Sequence, residues 1–340
     1  MMAEKIRVLI VDDSAFMREA IREVLSADLS IEVVGFAKDG VEGIKKVLEL
    51  KPNVMTIDLN MPGMDGMKAI EKIMEECPTP IIVISNRNIQ DIVKALGTGA
   101  MDFVAVTHDI NEVSKDLINK VKIASRVTPI RRIKMCPPIR TVTAKTTKKF
   151  KILAIGVSTG GPQALQVILS QLPKDLPAGL LVVQHIAAGF IDGLVGWLSM
   201  SCCLDIRVAK AGDVLKKGMV LFAPDNCNMT IDRQAKIGLK EDISRKMLHV
   251  PCIDEMMGSV AVAFGTEAIG VIMTGMGQDG AEGIKAIKNA GGYTLAQDKK
   301  SSVVFSMNKV AIETGCVDKV VPVDKIAREI MTIVDANYCE

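Results

Sequence analysis

The sequence predicts an α/β protein built as two doubly wound parallel-sheet domains. Three observations carry this. Short β-branched runs alternate with amphipathic stretches through residues 1–124, the rhythm breaks over 126–151, and it resumes from 152 to the end. A chain of 340 residues also exceeds one ordinary core. The predicted division is 1–124, a linker over 125–150, and 151–340.

The first half reads as five strand and helix units. Strands are expected at 7–11, 32–36, 54–57, 81–84 and 103–106. Helices are expected at 15–26, 41–50, 67–75, 89–96 and 112–124, where apolar residues recur at three and four spacing. Pro129, Pro137 and Pro138 then interrupt the pattern, and 126–151 holds nine Lys or Arg with no acidic residue. With no aromatic interleaving beyond Phe150, that charge reads as a solvated tether and not as a nucleic-acid surface. The second series includes strands at 152–155, 180–184, 269–273 and 293–296.

Composition narrows the class. The chain is 49% hydrophobic and 24% charged with a net charge of +2, so charge names no nucleic-acid or membrane partner. Eight cysteines contain no CxxC pair, and the adjacent Cys202 and Cys203 suit neither a zinc site nor a disulfide framework. Val8 to Val11 run straight into two aspartates, unlike a secretory leader, so a cytoplasmic protein is expected. Residues 176–204 carry Asp192 as their one formal charge, long enough to span a bilayer, but Pro177, Gln184, His185 and several glycines argue for a strand, a loop and an apolar helix. The protein is not expected to be an integral membrane protein.

In the first half, Asp12 and Asp13 follow the first predicted strand, Asp58 ends the third, and Ser85 ends the fourth. Carboxyl ends of parallel strands line one crevice, and clustered carboxylates there call for a hard cation such as magnesium. The run from Asp58 to Gly66, DLNMPGMDG, together with VDDS at 11–14, resembles the receiver domain of bacterial response regulators. The resemblance implies a flavodoxin-like fold and phosphorylation of Asp58. It also implies Mg2+ on Asp13, Asp58 and the carbonyl of Asn60, with Asp12 nearby and Ser85 as a switch residue. Receivers carry a lysine at the end of the fifth strand; this chain has Val106 there.

In the second half, GVSTG at 156–160 matches the GxSxG nucleophile elbow, although the same glycines would let a pyrophosphate approach a helix start. A serine needs a base, and the chain has three histidines. His185 ends the apolar run LLVVQ, whose carboxyl end neighbours that of 152–155 if the two strands are adjacent. His108 and His249 are less well placed. Asp279, in the glycine-rich run GVIMTGMGQDG, supplies a carboxylate to orient the imidazole, or else a cap for the helix from Ala281. The order Ser, His, Asp is not that of the α/β-hydrolases.

The segments IGVSTGGP, VVQHIAAGF, MTGMGQDG and AQDKKSSVVFSM, in this order behind a receiver and linker, resemble the CheB family of chemotaxis protein-glutamate methylesterases. The resemblance implies a Rossmann-like catalytic domain with Ser158 as nucleophile, His185 as general base and acid, and Asp279 as orienting acid. Backbone N–H groups of Thr159 and Met276 would form the oxyanion hole, with no cofactor in this domain. It further implies glutamyl methyl esters of methyl-accepting chemoreceptors as substrate, glutamine deamidation in some relatives, and a chemotaxis histidine kinase as phosphodonor. The receiver would cover the catalytic mouth until Asp58 is phosphorylated. Three departures stand out: Asn228 replaces a family histidine, the stretch around Pro251 reads HVPCID in place of a more polar equivalent, and the helix after His185 is unusually apolar, facing either a partner or its own core. The rival readings are a receiver-linked nucleotide-binding module without esterase activity and a receiver-controlled nucleic-acid binder, the latter lacking any helix-turn-helix.

Overall fold

The structure, a computed structural model, describes residues 4–85, 89–106, 110–127, 150–241 and 250–334. The chain divides into two compact units, residues 1–133 and 134–340. The basic segment lies outside the described residues over 128–149, as do His108 and His249.

In the first unit, strands β1 (Ile6–Val11), β2 (Ile31–Ala37), β3 (Val54–Ile57), β4 (Ile81–Ser85) and β5 (Asp102–Ala105) form one parallel sheet in the order β2-β1-β3-β4-β5. Helices α1 (Ala15–Ser26), α2 (Gly40–Leu50), α3 (Gly66–Glu76), α4 (Ile89–Thr98) and α5 (Ser114–Ala124) connect and follow them. Their starts are set by side-chain caps: Ser14 accepts from Met17 N–H, Asp39 from Glu42 N–H and Asp65 from Lys68 N–H. Asp65 of the DLNMPGMDG run is therefore a helix cap. β3 and β4 are buried throughout, which explains their continuous apolar runs. The fifth helix begins two residues later than the spacing predicts, because Ile110–Val113 forms a 3-10 turn ahead of it.

The second unit holds seven parallel strands, β6 (Lys151–Val157), β7 (Ala178–Gln184), β8 (Asp205–Val208), β9 (Met219–Phe222), β12 (Ala268–Ile272), β13 (Tyr293–Gln297) and β14 (Lys319–Val321), with an antiparallel hairpin of β10 (Cys227–Ile231) and β11 (Ile237–Glu241) between β9 and β12 in the chain. Its helices are α6 (Gly161–Leu169), α7 (Ile191–Ser201), α8 (Ile253–Phe264), α9 (Ala281–Asn289), α10 (Met307–Glu313) and α11 (Val323–Val334). The order is β14-β13-β12-β6-β7-β9-β8. The chain enters at β6, builds outward through β7, then returns to the other side of β6 at β12. The direction of winding thus reverses between β6 and β12, the place where open α/β sheets bind ligands.

The long apolar stretch resolves into β7 and α7. Ile191, Leu194, Val195 and Leu198 of α7 are buried, and the helix packs on β8 and α6. Its apolar character thus serves its own core, while Met200 remains exposed. Among the described residues, no helix is long and apolar enough to cross a membrane.

Candidate active site

Ser158 follows β6 directly. The turn after it holds Gly160 at φ 78°, where it caps α6, and a Cβ there would meet Val303 Cβ at 2.5 Å. Conformation and contact both demand glycine. Strand, sharp turn and helix in that order form the setting of a nucleophile elbow. Ser158 N–H donates to Thr274 O at 3.0 Å and Gly161 N–H to Ser158 O at 2.8 Å, which pins the turn.

His185 follows β7, which pairs with β6 so that Val157 lies opposite Gln184. His185 N–H donates to Val157 O at 2.9 Å. The serine and the imidazole therefore rise from neighbouring strand ends. A residue that the motifs did not single out reinforces this: the Gln184 amide Nε2 donates to Ser158 O at 2.9 Å and to His185 O at 2.8 Å. One buried side chain ties both main chains together.

Asp279 lies in the loop between β12 and α9 and is 9% exposed. Its Oδ2 stands 3.0 Å from His185 Nε2 and accepts Ile253 N–H at 2.8 Å. Its Oδ1 accepts Asp254 N–H at 3.0 Å and the Cys252 thiol at 3.4 Å. Burial opposes the charge, but the hydrogen bonds from His185, Ile253 and Asp254 prevail and hold the carboxyl at about 2. The same His185 Nε2 faces Pro251 O at 3.1 Å. A carboxylate and a carbonyl only accept, so Nε2 carries the hydrogen and Nδ1 is the basic nitrogen of the neutral ring. Burial pushes the Cys252 thiol up to about 12, so it stays protonated and donates.

Asn228, the departure noted in the sequence, is buried on β10, and its Oδ1 accepts Cys252 N–H at 2.9 Å. It fastens the turn that holds Asp279. Thr274 plays a similar part elsewhere: its hydroxyl donates to Thr159 O at 2.9 Å, and its N–H donates to Gln297 Oε1 at 2.9 Å. Among the described residues, neither the Thr159 nor the Met276 N–H donates to a protein acceptor. Both stay available to an oxyanion. The Met276 loop is anchored through Gly275 N–H to Val304 O at 3.0 Å and the Ser306 hydroxyl to Gly277 O at 3.0 Å. The AQDKKSSVVFSM segment is thus the support of this loop. Gln184 and Thr274 lie inside the VVQHIAAGF and MTGMGQDG segments and Pro251 and Asp254 inside HVPCID, but no sequence signal marks the hydrogen bonds they make.

In the first unit, Asp12 and Asp13 follow β1, Asp58 follows β3, Asn60 lies two residues on, and Ser85 ends β4, all at the end of the sheet where winding reverses between β1 and β3. Asp12 is buried and its Oδ1 accepts Ser14 N–H at 2.9 Å. Burial, against that hydrogen bond and with the charges of Asp58 and Asp13 adding, pushes Asp12 up to about 6. Among the described residues, no three His, Cys, Asp or Glu side chains are arranged to hold a metal by themselves. The expected donor set is instead two carboxylates, Asp13 and Asp58, and the Asn60 main-chain carbonyl. These hard oxygens in a place of excess negative charge fit magnesium. Val106 is buried just past β5, its N–H donating to Ser85 O at 3.1 Å. Lys120 lies at the opposite end of that strand, 3.4 Å from Asp102 and 3.0 Å from Asp116, so it does not replace the absent lysine.

A parallel sheet with serine, histidine and aspartate gathered at its winding reversal, preceded in the chain by a receiver-type sheet, defines the class: a response-regulator hydrolase. Residues 153–330 match the CheB methylesterase family, and residues 8–117 match the response regulator receiver domain. The chain belongs to the CheB methylesterase family. It is 39% identical to a protein-glutamate methylesterase/protein-glutamine glutaminase of Pyrococcus horikoshii, over 98% of this chain and 95% of that one. A second enzyme of that description, from Koribacter versatilis, is 42% identical over 96% of this chain and 95% of its own. The crystal structure of the Thermotoga maritima CheB methylesterase catalytic domain is similar with a TM-score of 0.53 and 37% identity, covering 55% of this chain and all of that one.

Proposed function

We propose that the protein hydrolyses γ-glutamyl methyl esters on the cytoplasmic helices of chemoreceptors, and deamidates glutamine at the same kind of position, under control of Asp58 phosphorylation by a chemotaxis histidine kinase. The observation that carries the catalytic half is the convergence of Ser158, His185 and Asp279 at the β6/β12 reversal, with His185 Nε2 3.0 Å from Asp279.

The Ser158 hydroxyl gives its proton to His185 Nδ1 as its oxygen attacks the side-chain carbonyl. The Thr159 and Met276 N–H groups receive the oxyanion. The imidazolium, stabilised through Nε2 by Asp279 and Pro251 O, returns the proton to the departing methoxide, which leaves as methanol. A water then repeats the cycle through the same base and frees the glutamate. An amide follows the same course with ammonia as leaving group. In the receiver, Asp13, Asp58 and the Asn60 carbonyl would hold magnesium, whose charge would offset that of an incoming phosphoryl group, with Asp58 as the phosphoryl acceptor.

The test is methanol release from a methylated chemoreceptor fragment, with and without magnesium and a small phosphodonor, using S158A and D58N as controls. Serine-dependent release that changes with phosphodonor, and only when Asp58 is present, supports both halves. Serine-dependent release indifferent to phosphodonor keeps the esterase and removes the switch. No release under any condition returns the reading to nucleotide binding.

A further inference from the structure

The hydrogen bonds around Asp279 form a reciprocal pair that the proposed chemistry does not require. Asp254, the second residue of α8, accepts Gly280 N–H at 2.9 Å and Gly283 N–H at 2.7 Å on one oxygen, Oδ1. Those N–H groups belong to the start of α9. In return Asp279, just ahead of α9, accepts Ile253 N–H and Asp254 N–H at the start of α8. Each carboxylate satisfies the open N–H groups of the helix on which the other depends, and α8 and α9 pack against one another.

Two carboxylates held this way compete for ionisation. Burial pushes Asp254 up, and the charge of Asp279 adds to it, while Asp279 is held down. As pH falls Asp254 is therefore the first of the two to take up a proton, and Asp279 keeps its charge beside the imidazole to lower pH. The turn it grips is intrinsically loose: Gly277 at φ 103° and Gly280 at φ 95° flank Asp279. Without an acceptor for Gly280 and Gly283, the α9 side of the turn keeps the main-chain bonds Ala281 N–H to Gln278 O at 3.2 Å and Ile284 N–H to Gly280 O at 2.9 Å but loses both ties to α8. A catalytic group displaced by about 1 Å loses much of its effect.

We propose that Asp254 is a positioning residue of this site: by accepting the Gly280 and Gly283 N–H groups it fixes the turn bearing Asp279, and through Asp279 the imidazole of His185. The proposal rests on Ser158, His185 and Asp279 acting as described above. It makes Asp254 necessary to turnover, not to substrate binding.

Steady-state methanol release by the full-length chain from a methylated chemoreceptor fragment, compared across wild type, D254A, D254N and S158A, tests it. D254A is expected to lower kcat about ten- to a hundred-fold, as loss of an orienting partner does in other sites, with KM changed less than about two-fold. D254N is expected to stay within about three-fold of wild type, because its amide oxygen still accepts both N–H groups. A folded D254A with wild-type kcat overturns the proposal, and so does D254N falling as far as D254A. Should D254A fail to fold, D254S, whose hydroxyl satisfies one N–H group, carries the test: reduced kcat at unchanged KM upholds the proposal, and wild-type kcat overturns it. Wild-type turnover by S158A would instead remove the underlying triad reading, a result separable from either of these.

Discussion

Asp279 holds His185 with the same carboxylate oxygen that accepts the Ile253 N–H: Oδ2 lies 3.0 Å from the imidazole Nε2 and 2.8 Å from the main-chain nitrogen. The acid is therefore part of the α8 terminus as well as of the site, and it is expected to matter to folding and to turnover together.

D279N separates these effects by pH. With a neutral amide the imidazolium loses its counter-charge, and kcat is expected to fall by about a thousand-fold or more. The folded carboxyl sits at about 2 against an ordinary 3.8. Its folded value is depressed, so its stabilising contribution is complete above about pH 4 and is lost as pH falls towards 2. That contribution is about 2 kcal/mol. Urea unfolding of wild type and D279N at pH 5 and pH 2 measures it: the gap between the two proteins should narrow by about that amount at the lower pH. An unchanged gap would place the charge of Asp279 outside the stability balance.

Gly275 sets how near the Met276 loop comes to the nucleophile. A Cβ there would lie 2.7 Å from Ser158 Cβ and 2.2 Å from Met307 Sδ. G275A is expected to displace Ser158 or the loop, lowering kcat about a hundred-fold and stability by about 1–3 kcal/mol. Kinetics together with thermal unfolding reads both, and wild-type kcat would show that the loop can retreat without consequence.

Gln184 offers the complementary test, since it acts on main chain alone. Q184L removes the donor to Ser158 O and His185 O and leaves two carbonyls without it, expected to cost about 1–3 kcal/mol. Because the two strand ends then lose this shared tie and keep the His185 N–H to Val157 O bond, kcat is expected to fall about ten-fold with KM little altered. A variant that loses stability but keeps kcat would make Gln184 a core residue only.

The parallel units were legible because their strands are buried on both faces and their helices amphipathic: β3 matches its predicted bounds of 54–57, and α1 its bounds of 15–26. The stretch 205–241 gave no such signal. β8 and β11 are four and five residues long and largely exposed, too short for a period to stand out. In the site, Ser158, His185 and Asp279 were legible because each ends a strand or sits in a glycine-rich turn. Their supports were not. Asp254 reads as an ordinary helix-start acid, Gln184 as the last residue of a strand, and Pro251 contributes only a carbonyl, which every residue has. Asn228 was noticed as a departure, but its bond to Cys252 N–H links residues 24 apart and depends on the fold.

That bond gives the β10–β11 hairpin a reach beyond its size. It stands outside the seven-stranded sheet, yet Asn228 holds the turn against which Asp279 is hydrogen-bonded. Its β11 edge is mostly exposed and so tolerant of sequence change. Divergence or engineering there can therefore retune the speed of the enzyme while every residue that meets the substrate stays the same.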